Sequence, residues 1–206
     1  MISSTDSHKH LGITLTSDCS WHDHIHNITE KAWKRISIMR KLKYKLDRKT
    51  LETIYISFIR PVLEFSDVVW DNCNYSQKQD LEKIQIEAAR IVTGCTRLVS
   101  HHSLFREVGW MSLETRRKHH KLILLYKMTH NLVPSYLSSL IPSIVGDTVG
   151  YSLRNANHIS TVHARTQLYF NSFLPSTLRA WNELPLTVRN LESLILFKKA
   201  IFGPKK

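Results

Sequence analysis

Apolar positions in this chain recur mainly at three- and four-residue steps, and only two short stretches look extended. Trp21, Ile25, Ile28, Ala32, Ile36, Met39 and Leu46 share one helical face. The spacing predicts a long helix opening at Trp21, with Ser20 as its cap and Asp23 in the first turn, where the helix dipole favours an anion. Asp47 is placed to cap a second helix through Leu51, Ile54, Tyr55, Phe58 and Val62, which Pro61 bends or ends. Ser76 and Gln79 have capping-box spacing ahead of a third helix carrying Leu81, Ile84, Ala88, Ile91 and Val92, and Gly94 is its stop. Ser112 opens a fourth, basic at first and apolar on every side from Leu122 to Tyr126, so buried at that end.

Alternation marks His10 to Leu15, which reads as a half-buried strand, and Gln167 to Phe173 reads as a second extended stretch. Pro134 and Pro142 bracket a short helical piece, and residues 143–158, rich in Ser, Gly and Asn, read as a mobile connection. Pro175 and Pro185 start short helical turns, followed by an amphipathic ending from Leu191 to Phe202 and a basic tail. The pattern predicts a mainly α chain: a strand segment over 1–20, a helical domain over 21–131 and a small mixed segment over 132–206.

Composition narrows the classes. Six glycines and six prolines in 206 residues exclude a low-complexity chain. A formal charge of +12 points to a polyanion, nucleic acid before an acidic membrane surface. Cys19, Cys73 and Cys95 make no disulfide framework, which fits a reducing, intracellular setting. The longest apolar run falls far short of the roughly 20 residues that span a bilayer, and the first 20 residues are too polar for a signal peptide.

Candidate chemistry is sparse. Two-metal nucleotidyl transfer needs clustered carboxylates, and no two of the eight aspartates are adjacent. Asp67 and Asp71 sit one helical turn apart and read as surface or capping groups. On a helix His22 and His26 share a face while His24 points away, so with Cys19 nearby they still fall short of a closed zinc site. No nucleophile elbow or phosphate loop is present. The sequence predicts no catalytic residue, metal or cofactor for this chain.

The stronger signal is a basic helix face. From Lys31 to Lys49 there are nine Lys/Arg and one acid, Asp47. Lys31, Lys34, Lys41 and Lys45 fall together opposite the apolar stripe, with Arg40 nearby and Arg116, Arg117 and Lys118 as an extension. Such a row can follow a phosphate backbone without reading bases. Trp33, Trp70, Trp110 and Trp181 are expected in the core rather than on bases.

Several stretches resemble the region beyond the palm of jockey-like non-LTR retrotransposon reverse transcriptases. They are Lys9-His10-Leu11-Gly12-Ile13 with Ser20-Trp21-x-x-His24-Ile25; Arg60-Pro61-Val62-Leu63-Glu64-Phe65 with Val69-Trp70; and Leu81-Glu82-x-x-Gln85-x-x-Ala88-Ala89-Arg90 with Gly94. Gly109-Trp110-x-x-Leu113-Glu114-x-Arg116-Arg117 continues the series. Asn171-Ser172-Phe173-Leu174-Pro175, Trp181-Asn182-x-Leu184-Pro185 and Ser193-Leu194-x-x-Phe197-Lys198 are similar to the family's C-terminal end. The resemblance implies a thumb-like helical bundle clasping RNA or an RNA–DNA duplex, with Leu11 and Gly12 at the edge of a primer-grip-like segment. It implies that the magnesium-binding palm would lie before Met1, so that this chain alone is not a polymerase. An orphan protein-interaction module or inactive transposon relic, self-associating through faces the palm would cover, is the alternative.

Overall fold

The computed structural model describes residues 5–148 and 155–203. It is mainly helical, with a two-stranded antiparallel sheet near its N-terminus. Strands β1 (Ser7–His10) and β2 (Ile13–Thr16) pair with His10 opposite Ile13 and Lys9 opposite Thr14. Leu11 and Gly12 between them both have positive φ, 47° and 90°, the two-residue reversal whose twist suits a hairpin. The single strand expected over 10–15 is therefore two half-strands. Alternation ran through the reversal and hid it.

Helix α1 (His22–Leu42) buries Ile25, Ala32, Ile36 and Met39, the expected stripe. Ser20 does not cap it. The Ser20 N–H donates to the Asp18 carboxylate at 3.0 Å and its carbonyl accepts from Thr16 Oγ1 at 2.8 Å, so Ser20 closes the turn out of the hairpin. Asp47 does cap α2 (Arg48–Ile54), accepting the Lys49 and Thr50 N–H groups at 3.1 and 3.3 Å. A π-turn over Tyr55–Ile59 follows, then α3 (Arg60–Glu64). Pro61 offers no N–H and its ring crowds the carbonyl four residues back, which a widened preceding turn accommodates.

After α4 (Asp67–Trp70) comes α5 (Tyr75–Thr93), whose capping box is Asn74 with Gln77 rather than Ser76 with Gln79. Both reciprocal bonds measure 2.9 Å. Gly94 ends α5 at φ 74°, as expected. Helix α6 (His101–Val108) stops at Gly109, and α7 (Leu113–Thr129) starts with Ser112 Oγ accepting the Thr115 N–H.

Contacts divide the chain into two units, residues 1–116 and 117–206. The first packs Ile36, Met39, Tyr55, Ile59, Leu63, Trp70, Leu81, Ile84 and Leu113 into one core. The second surrounds the apolar end of α7 with α8 (Ser135–Ser138), α9 (Val145–Thr148), α10 (Gln167–Asn171), α11 (Phe173–Asn182), α12 (Leu186–Arg189) and α13 (Leu194–Phe202). Its core joins Leu122, Leu125, Tyr126, Leu178, Trp181 and Phe197, and Tyr126 stacks on Phe197 with ring centroids 4.5 Å apart. The strand expected at 167–173 is helix instead. Thr166 Oγ1 accepts the Tyr169 N–H and starts the turn, and residues 167–171 are all exposed, so no packing holds the segment extended. Pro175 is buried within α11 rather than opening it, whereas Pro185 does precede α12. In the connection read as mobile, Ile144 bridges Ile159 and the Val145 N–H donates to the His158 carbonyl at 2.9 Å. Residues 149–154 of it, and the tail over 204–206, lie outside the described residues.

Candidate nucleic-acid interface

Burying Ile25, Ala32, Ile36 and Met39 fixes the rotation of α1, and that rotation turns its lysines outward. Lys31, Lys34 and Lys41 are exposed on α1, and Lys45 is exposed in the turn after it. Lys34 pairs with Glu30 at 2.9 Å between two solvated side chains, a contact of little strength that draws the Glu30 carboxyl below its usual range. Arg40 pairs with Glu87 at 2.8 Å. Lys31, Lys41 and Lys45 have no ion-pair partner among the described residues, so their charge faces solvent uncompensated.

Tyr44, 89% exposed between Lys43 and Lys45, is the aromatic beside this face, with Lys43 Nζ 5.5 Å from its ring centroid. Sequence reasoning weighed only tryptophans for stacking. The signal was there in Lys43-Tyr44-Lys45, where an aromatic stands between two lysines of the basic run. Trp33, expected in the core, is 37% exposed on α1, while Trp70 and Trp181 are buried and Trp110 is half-buried.

The two arginines proposed to extend the face do not stand in solvent. Arg116 grips the Glu64 carboxylate through Nε and through Nη2, the latter at 3.0 Å. Arg60 approaches the same carboxylate at 3.8 Å. Burial works to lower the Arg116 pKa, but the Glu64 bond and charge raise it overall; Arg60 is lowered, by burial first and then by Arg116. Arg117 is 1% exposed. Both belong to the packing of the fold.

The hairpin rests against α1 and α3. Lys9, Gly12, Thr14, His24, Asn27, Ile28, Lys31, Pro61, Val62 and Phe65 line a groove of about 630 Å³, which brings Lys31 of the basic face beside Lys9 of β1. Leu11 at the hairpin tip is exposed, and a Cβ at Gly12 would lie 3.1 Å from the Phe65 ring. Two features therefore hold Gly12 as glycine: positive φ and close approach.

The stretches that carried the resemblance turn out to be structural ties. Gln85 accepts the buried Tyr55 hydroxyl at 2.7 Å and donates to the Met111 carbonyl at 2.9 Å, and Glu82 receives the Leu113 N–H at 3.0 Å. Burial pushes the Tyr55 hydroxyl well above its ordinary pKa. Trp110 stacks on Tyr55 at 4.2 Å and donates to Glu52 at 2.9 Å. Trp21 donates to Asn72 at 2.6 Å, and Asn182 holds both backbone groups of Ile159, at 2.8 and 3.1 Å. Asp67 and Asp71 are buried rather than on the surface, and Asp71 lies 3.7 Å from Lys78. Among the described residues, no three His, Cys, Asp or Glu side chains are grouped to hold a metal ion, and no helix is long and apolar enough to cross a membrane.

Over 118 residues the chain is 25% identical to a Drosophila melanogaster protein described as "Probable RNA-directed DNA polymerase from transposon BS", a stretch amounting to 54% of this chain and 13% of that protein. No family model and no solved structure match the chain. The chain is thus a distant relative of a transposon reverse transcriptase.

Proposed function

We propose that this chain is the thumb and post-thumb region of a jockey-like reverse transcriptase, and that it holds the backbone of RNA or an RNA–DNA template–primer duplex. One observation supports the reading above the others: Lys31, Lys41 and Lys45 stand exposed along α1 and the turn after it, with no ion-pair partner among the described residues. Each such lysine releases a counterion when it meets a phosphate, which favours binding without reading sequence. Lys34 and Arg40 join by exchanging a weak surface ion pair for a phosphate, and Tyr44 offers a ring for a base. In this reading the chain does not polymerise by itself, and magnesium chemistry belongs to a palm segment.

The test is fluorescence anisotropy of the full chain with a labelled RNA and a labelled RNA–DNA duplex across a salt series. Log affinity is expected to fall linearly with log salt. Replacing Lys31, Lys41 and Lys45 together by Gln should reduce the slope by about 2 to 3, since each phosphate contact contributes about 0.7–0.9. An unchanged affinity and slope in that triple variant would refute the lysine face. A second reading draws on exposed Phe58, Phe65 and Val69 in the first unit, which suit a protein–protein contact. Self-association that strengthens with salt, seen by sedimentation, would favour it.

A further inference from the structure

The hairpin of β1 and β2 is a marginal element. Its strands are four residues each, β1 is fully exposed, and a lone two-stranded hairpin is barely stable in water. Something must fix it in place. In an antiparallel pair closed by a two-residue turn, hydrogen-bonded and non-bonded residue pairs alternate. His10–Ile13 is a bonded pair, and the bond from the Ser17 N–H to the Asp6 carbonyl at 2.9 Å keeps the same parity. Thr14, opposite Lys9, is therefore in a non-bonded pair, and its N–H points away from β1.

That outward N–H meets His24. Thr14 N–H donates to His24 Nδ1 at 3.3 Å, across from the hairpin to the first turn of α1. His24 is 2% exposed, flanked by the Trp21 ring at 6.2 Å and the Trp70 ring at 5.9 Å. An Nδ1 that accepts carries no proton, so the neutral ring holds its hydrogen on Nε2, which is buried with no hydrogen-bond partner among the described residues.

We propose that His24 is a latch that holds the hairpin on α1 only while its imidazole is neutral, and that protonation releases the hairpin. A proton on Nδ1 turns the acceptor into a donor that faces the Thr14 donor, and the bond is lost. The surroundings oppose the cation. The first turn of α1 presents the positive end of a helix dipole, and Lys9 from β1 and Lys31 from α1 line the same groove. From α3 the groove receives Pro61 and Val62, which carry no charge. The acids carried by the flanking helices are Asp23 on α1 and Asp67 on α4, and burial is what lowers the His24 pKa. Release would remove Lys9, Gly12 and Thr14 from the groove and free the Leu11–Gly12 tip.

The sign follows from linkage. A histidine depressed in the folded state gives the docked hairpin its full stability above the ordinary histidine pKa, and that stability is lost as pH falls through the window below it. The experiment is a two-dimensional NMR titration of the full chain from about pH 8 to about pH 5, reading the His24 ring and the Thr14 amide. The Thr14 exchange protection, corrected for intrinsic rate, should fall about tenfold per pH unit between the ordinary histidine pKa and the lower His24 midpoint, and level off below it. Helix α5 amides should hold steady. His24→Gln keeps an acceptor oxygen without a titration, so its Thr14 protection should be independent of pH; His24→Leu should leave Thr14 unprotected throughout. The proposal is overturned if wild-type Thr14 protection stays flat while His24 titrates, if the His24 midpoint is not below the ordinary value, or if His24→Gln retains the wild-type pH dependence. Should the variants fail to fold, the wild-type titration alone decides.

Discussion

Glu64 compensates two guanidinium groups at once, and both are largely withdrawn from water: its carboxylate and the Arg116 side chain keep 14% and 18% of their exposure. A neutral amide of the same shape leaves Arg116 and Arg60 repelling each other without the Glu64 charge that both approach. Glu64→Gln should therefore cost about 3 kcal/mol of stability, read from urea unfolding. Arg60→Gln should cost much less, because Arg60 sits at 3.8 Å from the carboxylate and repels Arg116. Sequence reading named Arg116 and Arg117 as ligands for phosphate because a run of cations looks alike whether solvated or buried. What distinguishes Arg116 is Glu64, 52 positions earlier in the chain, and nothing local announces that pairing. Gln85 teaches the same lesson from the other side. It stood out as part of a family-like stretch, but its role, taking the hydroxyl of a tyrosine 30 residues away, required the fold. Its removal can be checked: Gln85→Leu leaves the Tyr55 hydroxyl buried without its acceptor, at a cost of about 1–3 kcal/mol in the same unfolding measurement.

Elements were legible where a residue's local chemistry and the core agree. The apolar stripe of α1, the Asp47 cap of α2 and the Gly94 stop of α5 all follow from spacing within a few residues. Where two local solutions compete, spacing alone chose wrongly. Asn74-x-x-Gln77 and Ser76-x-x-Gln79 are both capping-box patterns, and the earlier one prevails, with Gln77 buried against the helix start. The consequence is direct: Asn74→Ala should lower the melting temperature by losing a cap worth about 1 kcal/mol, whereas Ser76→Ala should leave it nearly unchanged. Gly94→Ala should cost about 1–2 kcal/mol, since φ is +74° there although no atom lies within 4 Å to clash. The misread elements share a cause. The alternation in the hairpin and the run of large residues at 167–171 both suggest strand, but exposure is nearly complete in β1 and α10. Periodicity reports burial, and where nothing is buried it reports nothing.

For the whole molecule the dominant physical fact is a formal charge of +12. Like charges repel most in the folded state, where they are closest, so any polyanion that binds the native surface will relieve repulsion and stabilise it. Linkage makes the size predictable: ligand present at about 100 times its dissociation constant adds about 2.7 kcal/mol. Thermal unfolding of the full chain should therefore shift upward with added RNA, and the shift should shrink as salt rises. Because phosphate contacts position a strand without specifying it, RNAs of scrambled sequence should give equal shifts. Two outcomes separate a clamp from a merely basic surface. If the stabilisation comes from the α1 face, replacing Lys31, Lys41 and Lys45 by Gln should remove most of the RNA-induced shift while leaving the unliganded melting temperature unchanged or slightly raised, because three exposed, unpaired cations are gone. If instead charge acts diffusely, replacing three exposed cations elsewhere, such as Arg165, Lys198 and Lys199, should diminish the shift just as much. A larger loss from the α1 lysines than from that control set is the expected result, and equality would leave α1 no special place on the surface.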